Sequence, residues 1–165
     1  MHVQPSSTPE NAGGLRIGIA VSRYHQAITD RLFEGARAAF LRSDGREEHL
    51  IRAEAAGAFE LSVVAAALAD RDEIDAVVAL GCIIAGETDH DQILAHAVAH
   101  ALSNLALETR KPVTLGILTC ETIEQAAARA GGDKGNKGED AMRAAIQAVN
   151  AIRAVERLRL RSKST

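Results

Sequence analysis

A carboxylate, a hydroxyl and an imidazole fall within four residues at Glu87, Thr88 and His90, with Asp89 and Asp91 beside them. The apolar run Ala76–Leu80 leads into this stretch and a long helical pattern leads out of it. Gly81 and Gly86 are placed to let the backbone turn between the two. An open α/β sheet presents ligands at such a place, where the carboxyl end of a strand faces a helix N-terminus. An imidazole, with an ordinary pKa of about 6.5, both takes and gives a proton at neutral pH. Thr88 with Asp91, and Asp89 with Gln92, have capping spacing, so starting a helix accounts for Thr88 and Asp89. His90 has no such account. It lies in the first turn, at the edge of an apolar face formed by Leu94, Ala97, Val98, Ala101 and Leu105. Proton transfer and a structural histidine are both open readings of it.

Other groups follow predicted strands. Tyr24, the single tyrosine, sits in the loop Ser22-Arg23-Tyr24-His25, where it either stacks on a flat heterocycle or packs the loop. No G-x-G-x-x-G follows this strand, so a dinucleotide fingerprint is absent. Glu60 ends Ala55-Ala56-Gly57-Ala58-Phe59-Glu60. It either complements a helix dipole or accepts protons from a ligand. Arg129 precedes the glycine- and lysine-rich stretch Gly131–Gly138, which contains Lys137 and lacks the G-K-[ST] of a phosphate loop. Arginine and lysine there suit phosphate, while Arg129 also compensates a helix C-terminus. His96 and His100 have metal-pair spacing but no third ligand at motif distance, which favours a solvated or subunit-facing surface. No metal site is expected.

The elements that must carry these groups alternate. Strands are expected at Leu15–Ser22, Glu48–Ala53, Ala76–Leu80 and Val113–Leu118. Helices are expected from a cap at Thr29 or Asp30 to Ser43-Asp44-Gly45, over Phe59–Ala69, from about Asp89 to Glu108, from Thr122 to Ala130 and over Glu139–Arg157. This alternation implies a parallel sheet with helices on both faces and the loops after the strands gathered along one rim. Residues 1–14 read as a flexible arm, 15–157 as one domain and 158–165 as a basic tail.

The composition bounds the possibilities. A chain of 165 residues fits one domain with a sizeable core. It is 47% hydrophobic, drawn from Ala, Val, Ile and Leu, with three phenylalanines and no tryptophan. A net charge of −3 demands neither nucleic acid nor an anionic membrane. No apolar run approaches the ~18 residues of a membrane span, and the polar N-terminal stretch lacks the core of a signal peptide. Two cysteines, Cys82 and Cys120, make no disulfide framework, so a cytoplasmic setting is expected.

Taken in order, the motifs resemble the lumazine synthase (6,7-dimethyl-8-ribityllumazine synthase) family from about Arg16 to Val149. Four segments carry the resemblance: Ile17–His25 with Ile28-Thr29-Asp30 and Glu34-Gly35-Ala36; Gly57–Leu61; Asp75–Ile84 with Gly86–His90; and Gly116–Thr119 with Thr122–Ala126, Arg129-Ala130-Gly131 and Gly135–Gly138. The resemblance implies a flavodoxin-like three-layer αβα sandwich on a four-stranded parallel sheet. It implies condensation of 5-amino-6-(D-ribitylamino)uracil with 3,4-dihydroxy-2-butanone 4-phosphate, giving 6,7-dimethyl-8-ribityllumazine, phosphate and water, with no cofactor and no metal. It also implies sites between neighbouring subunits of a pentamer, assembly of twelve pentamers in many members, and riboflavin synthase as a candidate partner.

By motif position, the resemblance assigns Tyr24 to stacking on the pyrimidine. Ala58, Phe59 and Glu60 would bind the ribitylaminouracil, and Cys82, Ile83 and Ile84 would hold its edge largely through backbone groups. Glu87 and Thr88 would contact the butanone phosphate, Arg129 its phosphate group, and Lys137 would add a secondary contact. His90 would move protons. Leu115 would face the pyrimidine from the adjacent subunit. The chain departs from the family pattern at Ala85, where a basic residue is usual, and at Asp91-Gln92-Ile93, Leu115 and Ala55-Ala56. The altered 91–93 segment motivates a competing reading, a catalytically weak paralogue that forms shells or binds flavin.

Overall fold

The computed structural model describes residues 10–161. Four strands, β1 (Ile17–Ser22), β2 (Leu50–Ala55), β3 (Ala76–Ile84) and β4 (Val113–Cys120), form one parallel sheet in the order β2-β1-β3-β4. The central strands β1 and β3 are apolar on both faces, as a sheet covered on both sides requires. Helices α1 (Gln26–Arg42), α4 (Ile123–Arg129) and α5 (Lys137–Arg161) cover one face. Helices α2 (Leu61–Ala69) and α3 (His90–Thr109) cover the other. The expected flavodoxin-like αβα sandwich is therefore present. Its strand order reverses direction at β1 and β3, so a crevice opens beyond their carboxyl ends.

Several boundaries differ from the sequence expectation, each for a local reason. Helix α1 starts at Gln26, not at a Thr29 or Asp30 cap. Its N-cap is His25, whose backbone is left-handed (φ 58°, ψ 47°) and whose side chain makes no capping bond. Thr29 is buried inside the first turn and its hydroxyl donates to the Gln26 carbonyl at 3.3 Å. Strand β2 begins at Leu50, because Glu47–His49 forms a 3₁₀ turn. Strand β3 continues through Gly81 to Ile84, so Gly81 is not a turn. Its missing Cβ makes room for α2, since a Cβ there would lie 2.9 Å from Leu61 Cδ1. The turn comes later, between Ala85 and Asp89. Asp89 occupies the α3 N-cap without a side-chain capping bond.

The last third follows local chemistry more closely. The Gln125 N–H donates to the Thr122 hydroxyl at 3.3 Å and caps α4 as its spacing predicts. The stretch read as a loop from Gly131 contains a short antiparallel pair, β5 (Ala130–Gly132) with β6 (Gly135–Asn136). Asn136 then starts α5: its side-chain oxygen accepts from the N–H groups of Gly138 and Glu139. Its amide donates to the Arg31 carbonyl at 2.9 Å and ties the hairpin to α1. Residues 10–15 are held against α1 and α5. The Ala12 N–H donates to the Ser43 carbonyl at 2.6 Å, and Glu10 pairs with Arg143 at 2.7 Å. The rest of the expected arm and the end of the basic tail lie outside the described residues.

Candidate active site

The crevice beyond β1 and β3 is a cleft of about 550 Å³. Four segments line it: Tyr24 and His25 after β1, Gly57–Glu60 after β2, Cys82–Gly86 at the end of β3, and Thr88, His90, Asp91 and Leu94 at the start of α3. Nine residues singled out from the sequence thus meet in one place: Tyr24, Ala58, Phe59, Glu60, Cys82, Ile83, Ile84, Thr88 and His90. Glu87 is exposed in the same turn but does not line the cleft.

Strand alternation decides what each β3 residue presents. Ile83 points to the α2/α3 face, on which the cleft lies, and belongs to the same buried cluster as Leu61 and Val98. Cys82 points the other way, into the core under α1 and α5, so its contribution to the cleft wall is main chain. Burial, and secondarily the nearby Cys120, pushes the Cys82 thiol up to about 11, so it is a neutral packing group at neutral pH. Burial also raises the Cys120 thiol, against an opposing pull from Arg129.

Glu60 is the N-cap of α2 and reaches back over Gly57, where a Cβ would come within 3.0 Å of Glu60 Oε2. The Tyr24 N–H donates to Ser22 Oγ at 3.2 Å, while its ring is 66% exposed at the cleft edge. His90 stands exposed at the first position of α3. The ionisable side chains lining the cleft are the carboxylates Glu60 and Asp91, the phenol Tyr24 and the imidazoles His25 and His90; among the described residues no lysine or arginine lines it.

The remaining sequence candidates lie elsewhere in the same chain. Arg129 ends α4, in the α1/α4/α5 layer, and donates to the Gln125 carbonyl at 3.1 Å. Lys137 opens α5 and pairs with Asp140 at 2.7 Å. Leu115 is in register with Ala79, whose side chain lies on the α2/α3 face, and is 54% exposed on the edge strand β4. Phe59, Val63, Ile93 and Leu107 are also exposed in that layer, which leaves a broad apolar surface around the cleft. Helix α3 buries only Val98 and Leu102 in twenty residues, far fewer than its expected apolar face.

His96 and His100 lie on the exposed part of α3. His96 Nδ1 donates to the Gln92 carbonyl at 2.7 Å, and His100 Nε2 meets the Asn104 amide at 3.1 Å. Among the described residues no group of three or more His, Cys, Asp or Glu side chains could hold a metal ion, and no helix is long and apolar enough to cross a membrane. Sequence reasoning did not single out His25 or Leu94 as cleft residues. Leu94 was visible only as a core position. His25 was visible as a neighbour of Tyr24, but its left-handed backbone was not.

Fold and cleft define a doubly wound α/β protein with a cleft at its switch point, the place where such sheets take ligands, and with ionisable side chains on a loop and a helix start. Residues 14–153 match the family model for 6,7-dimethyl-8-ribityllumazine synthase. The chain is 46% identical over 136 residues to the 6,7-dimethyl-8-ribityllumazine synthase of Aquifex aeolicus, covering 82% of this chain and 88% of that protein. It is 44% identical over 146 residues to a protein of the same name from Thermus thermophilus, covering 88% and 93%. The chain belongs to the 6,7-dimethyl-8-ribityllumazine synthase family.

Proposed function

We propose that this chain condenses 5-amino-6-(D-ribitylamino)uracil with 3,4-dihydroxy-2-butanone 4-phosphate to give 6,7-dimethyl-8-ribityllumazine, phosphate and water, a step of riboflavin biosynthesis. The observation that carries the reading is the convergence of Tyr24, Glu60, Thr88 and His90 from three segments on the switch-point cleft of a member of this family.

The chemistry suits the groups. The pyrimidine amine attacks the ketone and an imine forms with loss of water. The imine shifts to an enamine, phosphate leaves by elimination, and the resulting enol tautomerises to a second carbonyl, on which the ribitylamino nitrogen closes the ring with loss of another water. Each step moves protons between nitrogen, carbon and oxygen, the task assigned to His90. The protein's main contribution is to hold two substrates in register, which can supply about 7–11 kcal/mol. Tyr24 stacks on the pyrimidine, and Ala58 and Phe59 line its site. Glu60 accepts from ribityl hydroxyls, and the main chain of Cys82, Ile83 and Ile84 holds the ring edge. Glu87 and Thr88 contact the butanone. Arg129, with Lys137 as a secondary contact, takes the phosphate.

The site is proposed to be completed by a second copy. A phosphate dianion needs cations, and among the described residues no lysine or arginine lines the cleft, while Arg129, Lys137 and Leu115 lie away from it in the same chain. A ring of five copies, and a shell of twelve rings, is the assembly this reading favours, with riboflavin synthase as the candidate protein partner. Two buried free thiols fit a reducing cytoplasm.

The test is to mix both substrates with pure protein and follow lumazine absorbance, with light scattering for assembly size. No acceleration over the spontaneous reaction would sink the catalytic reading in favour of a non-catalytic paralogue. A monomer with full activity would sink the shared site.

A further inference from the structure

Tyr24 has little to hold its ring in place. It is 66% exposed, and its hydroxyl makes no hydrogen bond to the described residues. Its one aromatic neighbour among the described residues is His25, with ring centroids 4.6 Å apart and planes at 73°, an edge-to-face contact. That contact requires an unusual backbone. His25 is left-handed at φ 58° and ψ 47°, a conformation that costs a non-glycine residue energy and that histidine, asparagine and aspartate tolerate best. The strained position is the N-cap of α1, yet the imidazole makes no capping bond and no other side-chain hydrogen bond to the described residues. It lines the cleft instead. In either sense of the T-shaped contact, at least one face of the phenol ring stays clear of the imidazole.

We propose that His25 is a positioning residue, whose ring fixes Tyr24 in the orientation that stacks on the pyrimidine substrate. The inference rests on the stacking role given to Tyr24 above, and two readouts separate the two claims. Tyr24 is the chain's only tyrosine and the chain has no tryptophan, so intrinsic fluorescence reports this one ring. His25→Asn keeps a residue suited to the left-handed backbone and removes the aromatic contact. It should lower the tyrosine fluorescence anisotropy, in protein whose melting and assembly size match the wild type. In steady-state assays it should raise KM for the ribitylaminouracil about three- to tenfold, the range of one aromatic pair. The KM for the butanone phosphate should stay within about twofold, a shift of ~0.4 kcal/mol that marks the phosphate end as untouched. His25→Phe should restore both the anisotropy and the pyrimidine KM.

Unchanged anisotropy in His25→Asn would overturn the positioning claim, as would equal rises in both KM values or a fall in kcat that matches the rise in KM. Should His25→Phe fail to fold, the anisotropy and KM split of His25→Asn decide alone. Tyr24→Ala separates the premise: an unchanged pyrimidine KM there refutes stacking by Tyr24, whatever His25 does to the ring.

Discussion

Two variants that are each crippled should restore activity when they share an assembly. His90→Ala removes the imidazole at the start of α3, and Arg129→Ala removes the guanidinium at the end of α4 in the opposite layer. If Arg129 serves the cleft of a neighbouring copy, no working site draws both groups from one chain. In a ring of head-to-tail interfaces assembled at random from equal amounts of the two variants, a site is intact when its cleft belongs to the arginine variant and its neighbour is the histidine variant. Each condition holds for half the copies, so about a quarter of the sites are intact. The background is low. Loss of a proton-transfer histidine costs about 10²–10⁴ in rate. Loss of a charge-assisted hydrogen bond to phosphate, about 1.5–3 kcal/mol, raises the KM for the butanone phosphate roughly 10- to 150-fold and leaves the pyrimidine KM unmoved. The assay is co-expression of the two chains with different tags, tandem purification, and lumazine absorbance at a butanone phosphate concentration below the wild-type KM. Recovery near a quarter of wild type supports the shared site. Mixed assemblies no more active than the pure variants would place His90 and Arg129 in one chain's site and refute the argument from layers.

Three further outcomes follow from packing and charge. In Gly138→Ala the new Cβ would overlap the Leu32 main chain where α5 crosses α1, so neither partner is a side chain that can swing away; urea unfolding should register a loss near ~3 kcal/mol, and a loss under ~1 kcal/mol would mean that the helices slide apart freely. The Cys82 thiol is raised from 9.0 to about 11 by burial, so its contribution to stability is full below its unfolded value and lost as pH rises through the folded one. Urea stability should therefore decline less steeply from pH 9 to 11 in Cys82→Ala than in wild type, and parallel declines would contradict a buried neutral thiol. Ala85→Arg adds a cation to the cleft wall, where Ala85 is exposed; it should lower the butanone phosphate KM by about threefold, the range of a solvent-screened charge, and a rise would place the phosphate elsewhere.

What was legible in the sequence was local or periodic. The apolar runs of β1 and β3 and the Thr122 cap on Gln125 depend on neighbouring residues, and each is present. Gly81 was misread because glycine in a strand looks like punctuation, whereas here its missing side chain admits Leu61 from a helix twenty residues earlier in the chain. The start of α1 was misplaced for a related reason. Thr29 and Asp30 have the chemistry of caps, but the chain turns into the helix at least four residues sooner, through a left-handed His25 cap, which no periodicity reveals. For the cleft, the order of the motifs fixed which loops meet, because a parallel sheet puts every strand's carboxyl end on one rim. It did not fix the layer of Arg129, which depends on the face that α4 packs against.

That layer assignment gives the cleft its meaning. Glu60 reaches over Gly57 and Asp91 follows His90, so one copy brings two carboxylates to the cleft and, among the described residues, no lysine or arginine. Carboxylates suit a substrate with hydroxyl and amide protons, but they repel a phosphate. Two unit charges 4 Å apart interact by about 4 kcal/mol at an effective dielectric of 20, so one carboxylate near the phosphate would offset one arginine. The two substrates therefore ask for opposite surroundings within one site. A single chain that built both would set Arg129 beside Glu60 and neutralise each with the other before any ligand arrived. On the proposed shared site, placing them on opposite layers of the sheet would keep the carboxylate and the guanidinium apart until two copies meet, and Ala85, which brings no charge to the cleft wall, would leave more of the phosphate's charge for the neighbour to balance.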